Sequence, residues 1–312
     1  MKIIKISVIL LLTIIALVCI LFGYKDIPMD ELKAKYSNEE SQFIAMDGMD
    51  VHYNDVGNPL DSLPIVLIHG TGSSLHTFDV WTEELKGNRR IIRMDIPAFG
   101  LTGTMPERDY SIKNYVTFIQ HFLDKIGVQK CILAGNSLGG QIAWNFTAEY
   151  PNRVQSLILI DAAGYPIDSK SIPIAFLFAR LPVVNKMLSF ITPKFMARSS
   201  VENVYADKSK VTDELANRYF ELTLRAGNRQ ALVDRLTGNE DFSTLSKIKN
   251  IKQPTLILWG ENDLLIPVSN AYNFQKDLSN DTLVIMKNVG HVPMEESPKE
   301  SLAILKNFIG MD

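Results

Sequence analysis

The sequence predicts an α/β fold: a doubly wound, mostly parallel sheet with a helical cap inserted after the sixth strand. Three observations predict it. Short apolar runs at 65–68, 91–94, 131–134, 157–160, 255–259 and 283–286 alternate with longer stretches of helical periodicity. These runs are too short for buried helices and lack strict alternation, the pattern of parallel strands covered on both faces. One of them leads straight into a glycine-flanked serine turn and then a helix. Finally, about 90 residues with helical periodicity and no strand separate the run ending at Ile160 from the one starting at Thr255. That is too long for a loop.

The elements follow in order. Lys2 and Lys5 precede an apolar run over residues 6–22, interrupted only by Ser7 and Thr13. At 17 residues the run is at the short end of what spans a bilayer. Its exit, Ala16-Leu17-Val18-Cys19-Ile20-Leu21-Phe22-Gly23, has no small-residue cleavage pattern, and valine before Cys19 suits a lipoprotein signal poorly. Residues 1–24 therefore read as an uncleaved membrane anchor, with a cleaved signal as the alternative. The leading lysines keep the N-terminus in the cytoplasm and export the rest, so the expected location is the outer face of a membrane, or the secreted or periplasmic space after cleavage.

Residues 25–41 are polar and read as a tether. Residues 42–55 read as a hairpin turning at Asp47-Gly48. The core is expected over 42–166 and 245–312, and the cap over 167–244. Ile172, Ile174, Phe176, Leu177 and Phe178 open the cap, either as its own core or as the wall for an apolar group. In a doubly wound sheet the active site sits at the carboxyl ends of the strands, which the cap overlies.

The composition excludes several classes. In 312 residues, 46% hydrophobic and 21% charged, a full core is available and disorder is not expected. A net charge of −3 provides no basic field for phosphates, so nucleic acid is not an expected partner. Cys19 and Cys131 have neither metal-ligand spacing nor an evident disulfide partner. Cys131 opens a buried strand and reads as a small hydrophobe.

Gly135-Asn136-Ser137-Leu138-Gly139 fits G-x-S-x-G, a weak signal alone. Its setting strengthens it. The run 131–134 precedes it, and Leu138, Ile142, Phe146 and Tyr150 follow four apart, so a strand must turn sharply into a helix with the Ser137 hydroxyl exposed. A serine is a poor nucleophile without a base. Of His52, His69, His76, His121 and His291, only His291 follows the last apolar run on a loop. His52 and His121 read as structural, His76 as lying near the mouth, and His69 as holding the loop after the first long strand. The base needs a carboxylate to fix its tautomer. Asp263, in Gly260-Glu261-Asn262-Asp263, is the best placed, with Asp161 as rival and Glu261 behind both. Oxyanion donors are expected at the backbone N–H of Leu138 and of Thr71, or of Gly72 in place of Thr71.

These segments resemble the α/β-hydrolase superfamily, in its capped branch of carboxylesterases, lactonases and meta-cleavage C–C hydrolases. The matching stretches are the His69-Gly70 loop, Asp95-Ile96-Pro97-Ala98-Phe99-Gly100, the elbow at Ser137, Gly260-Glu261-Asn262-Asp263 and Gly290-His291. Ala98 departs from the glycine usual there. The order Ser, Asp, His is also that of the fold. The resemblance implies hydrolysis of esters or lactones of apolar small molecules without metal or cofactor. C–C bond hydrolysis of ring-cleavage products is the alternative, and a non-catalytic binding protein on the same fold a further one. Serine in the elbow argues against epoxide hydrolases and dehalogenases, which use aspartate there.

Overall fold

The computed structural model describes residues 6–311 except 8, 11, 12, 14–16, 18, 19, 183, 189, 239 and 240, and leaves out the side chain of 188. Eight strands form one sheet: β1 (Ser41–Met46), β2 (Met49–Gly57), β3 (Ile65–Ile68), β4 (Arg90–Met94), β5 (Cys131–Asn136), β6 (Val154–Ile160), β7 (Thr255–Gly260) and β8 (Asp281–Met286). Their order is β1-β2-β4-β3-β5-β6-β7-β8. The hairpin β1–β2 is antiparallel, as is its contact with β4; every other pairing is parallel. Asp47 and Gly48 both have positive φ, 49° and 72°, as the tight turn between β1 and β2 requires.

The continuous apolar runs resolve into two faces. Val66 and Ile68 join one core with Leu133, Leu159 and Trp259; Ile65 and Leu67 join the other with Ile132, Ile158 and Leu258. Successive residues of a strand point to opposite faces, and here both faces are covered. Helices α3 (Ile112–Lys125), α4 (Leu138–Glu149) and α10 (Ser269–Asp277) cover the first through Phe118, Phe122, Phe146 and Phe274. Helices α2 (Asp79–Leu85) and α12 (Pro298–Phe308) cover the second through Trp81, Leu85, Leu302 and Leu305.

Among the described residues, five α-helices lie between β6 and β7: α5 (Ile174–Arg180), α6 (Val184–Leu188), α7 (Lys194–Val204), α8 (Asp213–Thr223) and α9 (Asn228–Thr237). Helices α7 and α8 and the segment between them share core with the sheet domain, because Val201, Tyr205, Val211 and Ala216 cluster with Val289, Val292 and Met294. Cys131 is buried in the middle of the sheet, where burial pushes its thiol up to about 12.

Residues 25–41 are not a free tether. They contain helix α1 (Met29–Tyr36), whose Leu32 and Tyr36 are buried against Leu101 of the core and Leu222 of the cap. The tether expectation weighed polar composition; burial of a leucine, worth about 2 kcal/mol or more, outweighs it. Tyr36 Oη donates to Glu221 at 2.8 Å, and Lys35 pairs with the same carboxylate. Ahead of α1, residues 22–27 lie along the cap: Thr192 N–H donates to the Phe22 carbonyl at 3.0 Å and Ile27 N–H to the Leu224 carbonyl at 2.9 Å. Lys2, Lys5 and Cys19, on which the anchor reading partly rests, lie outside the described residues. Among the described residues, no helix is long and apolar enough to cross a membrane.

Candidate active site

Ser137 sits between β5 and α4 with φ 55° and ψ −117°. A β-carbon in this region costs about 1–3 kcal/mol, so the surroundings must hold it there. They do so with three backbone bonds: its N–H donates to the Ile160 carbonyl at 3.0 Å, and its carbonyl accepts the amides of Gln141 and Ala163, each at 3.0 Å. The helix must also press against β3. A Cβ on Gly139 would stand 2.2 Å from the Ile68 carbonyl oxygen, which only glycine avoids.

His291 Nδ1 lies 2.6 Å from Asp263 Oδ2, and both residues are buried. Asp263 in turn accepts the amides of Leu265 at 2.8 Å and Ile266 at 3.0 Å on Oδ1. Asn136, next to the serine, ties His291 to the elbow: its Nδ2 donates to the carbonyls of Ile160 (3.1 Å) and His291 (2.9 Å). Ser137 and His291 open onto one cavity, together with Gly70 and Thr71. Of the two rival acids, Glu261 is exposed at the surface. Asp161 is fully buried beside Asp263.

The loop 69–73 is braced by His69. Its Nδ1 donates to the Gly70 carbonyl at 2.8 Å and its Nε2 accepts the Ile96 amide at 3.1 Å. Complete burial lowers its pKa, so the ring is neutral, as these two bonds require. Thr71 faces the cavity, and Leu138 is the first residue of α4, where backbone N–H groups have no partner within the helix. Asp95 organises the neighbouring stretch by accepting from Leu75, Leu101 and the His52 ring. Its burial opposes the charge, but His52 and these donors hold it well below the usual carboxylate range. His76 bonds the Tyr36 carbonyl and His121 the exposed Asp47, so neither serves the elbow.

Asp161, Asp263 and His291 bring three potential metal-ligand atoms within 4.8 Å of one another. Their geometry is that of hydrogen bonding. Two ligands of one tetrahedral zinc stand about 3.3 Å apart, whereas Asp263 and the imidazole are 2.6 Å apart.

Two groups escaped the sequence reading. Glu296 is buried, and its carboxylate accepts the amides of Gly290 (2.7 Å), Ala206 (3.2 Å) and Asp207 (2.7 Å). Glu295 accepts from Arg218, Tyr205 and Tyr219 of the cap. They occupy the short helix α11 (Pro293–Glu296) shortly after His291. Two adjacent glutamates ordinarily mark a solvated turn; the hint was their position within five residues of His291. The cavity's remaining wall comes from the cap, chiefly Phe176, Met196, Val201, Val204 and Leu232, with Arg229 as its charged residue. Arg229 is bound to the Tyr24 carbonyl at 3.0 Å and to Asp26 at 2.5 Å. Phe176 therefore faces the cavity, while Leu177 is exposed.

A family model described as alpha/beta hydrolase fold matches residues 64–298. Lipase 1 of Psychrobacter immobilis is 30% identical over 258 residues, covering 78% of this chain and 76% of its own. The 2-hydroxy-6-oxo-2,4-heptadienoate hydrolase of Pseudomonas putida is 25% identical over 288 residues, covering 88% and 98%. Among solved structures, a membrane phospholipase A, described as a novel bacterial virulence factor, superposes with a TM-score of 0.72 at 26% identity, over 99% of this chain and 98% of its own. With the sheet order, the strained serine between β5 and α4 and a family match over most of the chain, this protein belongs to the α/β-hydrolase family.

Proposed function

We propose that the chain is a serine hydrolase that cleaves carboxylic esters, lactones included, of apolar small molecules through an acyl-enzyme. One observation carries the reading: His291, bonded to Asp263 at 2.6 Å, and a serine held at φ 55° open together onto one cavity walled mainly by apolar side chains. With Nδ1 committed to Asp263, Nε2 is the basic nitrogen for the serine proton. Ser137 Oγ attacks the carbonyl carbon as its proton passes to His291. The amides of Thr71 and Leu138 hold the oxyanion, each contributing about 3–4 kcal/mol to the transition state. His291 then protonates the leaving alcohol, and water, deprotonated by the same imidazole, frees the acyl group.

The hydrolase of Pseudomonas putida supports a second reading, cleavage of a C–C bond in a ring-cleavage product. Such a dienoate carries a carboxylate, and the cavity's charged residue, Arg229, is already paired with Asp26. Esters fit the apolar wall better. The residues 6–22 hold the enzyme at the outer face of a membrane; Lys2 and Lys5 ahead of the run support this orientation, and the match to a membrane phospholipase A through 99% of the chain supports the anchor.

Turnover of p-nitrophenyl esters of graded chain length, lactones and a dienoate tests the chemistry. A dienoate preferred over every ester would overturn the ester reading, and turnover of none would favour a binding protein. Cell fractionation with mass spectrometry of the N-terminus tests the anchor: soluble protein beginning near residue 25 would show cleavage, and intact protein in the cytosol would reject export.

A further inference from the structure

Asp161 directly follows β6 with φ 43° and is fully enclosed. Its Oδ1 accepts the Gly260 amide at 2.9 Å, while its Oδ2 is buried without a hydrogen-bond partner. An acceptor-only carboxylate oxygen left so is costly; the O–H of a neutral acid is a donor that needs only an acceptor. That acceptor is adjacent. Carboxyl oxygens of Asp161 and Asp263 and a ring nitrogen of His291 lie within 4.8 Å of one another.

Two enclosed carboxyls within 4.8 Å of each other repel when both are charged, which favours a proton held by the pair. The donors decide which residue has it. Three N–H groups converge on Asp263, from His291, Leu265 and Ile266, whereas the single amide of Gly260 reaches Asp161. N–H donors stabilise the anion, which is therefore Asp263. The other titratable neighbour is Glu296 of α11, whose charge also favours a neutral Asp161.

We infer that Asp161 is a positioning residue, a neutral acid whose Oδ2–H donates to the Asp263 carboxylate and limits how strongly that carboxylate draws charge onto His291. Burial, followed by the charge of Asp263, raises Asp161 well above the usual carboxylate range, in agreement. The inference rests on reading Ser137, His291 and Asp263 as the reacting set. An asparagine amide can replace the acid as donor and still accept from Gly260, and asparagine tolerates positive φ. Asp161→Asn keeps kcat/KM for a p-nitrophenyl ester within about threefold of the parent, because the donated hydrogen bond survives. Asp161→Ala frees Asp263 of a donor, so the imidazolium is better stabilised. The acid limb of the kcat/KM profile then moves to higher pH by about half a unit or more, with KM little changed.

A readout that needs no substrate is the low-field proton resonance of His291 Nδ1–H in the intact protein. It persists unchanged in Asp161→Asn and moves in Asp161→Ala. The idea is overturned if Asp161→Asn shifts the acid limb and the resonance as far as Asp161→Ala, or if Asp161→Ala moves neither. Should Asp161→Ala not fold, Asp161→Asn is read against the parent, and an acid limb or resonance displaced in it overturns the idea. A protein that turns over no ester but shows the expected resonances separates failure of the hydrolase reading from failure of this one.

Discussion

The backbone amide of His291 donates to the carbonyl of Val204 at 2.8 Å, so the last residue of cap helix α7 grips the loop carrying the imidazole. Gly290 permits the approach: a Cβ there would stand 2.5 Å from the Val204 oxygen and 2.7 Å from the Ala206 nitrogen, both backbone atoms that cannot swing aside. The cap and His291 are thus held in register by main-chain contacts. Gly290→Ala is expected to cost about 1–3 kcal/mol in denaturant unfolding, the range for overpacking, and to lower kcat. Unchanged stability and turnover would show that the cap yields freely at Val204.

Replacing the serine tests the nucleophile most directly. Ser137→Ala should lower ester turnover on the order of 10⁴-fold or more with melting temperature little changed, because alanine meets the same φ of 55° as serine. A variant keeping a tenth of the parent rate would remove Ser137 from the mechanism.

The two buried aspartates should respond differently to the same change. In Asp263→Asn the amide offers a donor to His291 Nδ1, favours the wrong tautomer and should reduce kcat on the order of 10³–10⁴-fold. Asp161→Asn should be far milder. Steady-state rates of both variants decide it, and the reverse order would make Asp161 the acid partner of the imidazole.

Asp161 also links stability to pH. Its folded-state pKa is raised above the unfolded value, by burial and then by Asp263. Its contribution is therefore fully present below the unfolded pKa, near 4, and is lost as pH rises toward the folded value. Asparagine has no proton to lose. Relative to the parent, Asp161→Asn should gain stability between pH 4 and pH 7, with Asp263, His291 and Glu296 as the titratable neighbours in common. Denaturant titrations of both proteins at the two pH values measure this, and a parallel pair of curves would contradict it.

Ala98 has φ 84°, where its N–H reaches the Gly103 carbonyl at 2.6 Å. A side chain is strained there and glycine is not, so Ala98→Gly should stabilise the protein by about 1 kcal/mol without altering turnover. Unfolding midpoints compare the two directly.

Much of this was legible in the chain because the signals are local. The elbow needs its residues within one turn, Gly135 to Gly139, and the parallel strands announce themselves as short apolar runs. Asp263 and His291 were readable from their place after strands, although the bond between them was not. The rest depends on partners far along the chain. Helix α1 is held by Leu101 and Leu222, and Glu296 by amides of Ala206 and Asp207, none of which composition can indicate. A neutral Asp161 was beyond the sequence altogether, since only the converging N–H groups decide where the shared proton rests.

Cys131, enclosed in the central strand with its thiol up near 12, has a consequence in time. Alkylation needs the thiolate in contact with reagent, and loosening of the cap alone reaches only the Asn136 end of β5, opposite Cys131. Modification of the Cys131 peptide under native conditions therefore counts complete partings of the sheet, an internal clock for global opening. Because β5 also carries the elbow, each tick of that clock marks a moment when Ser137 has lost its strained turn.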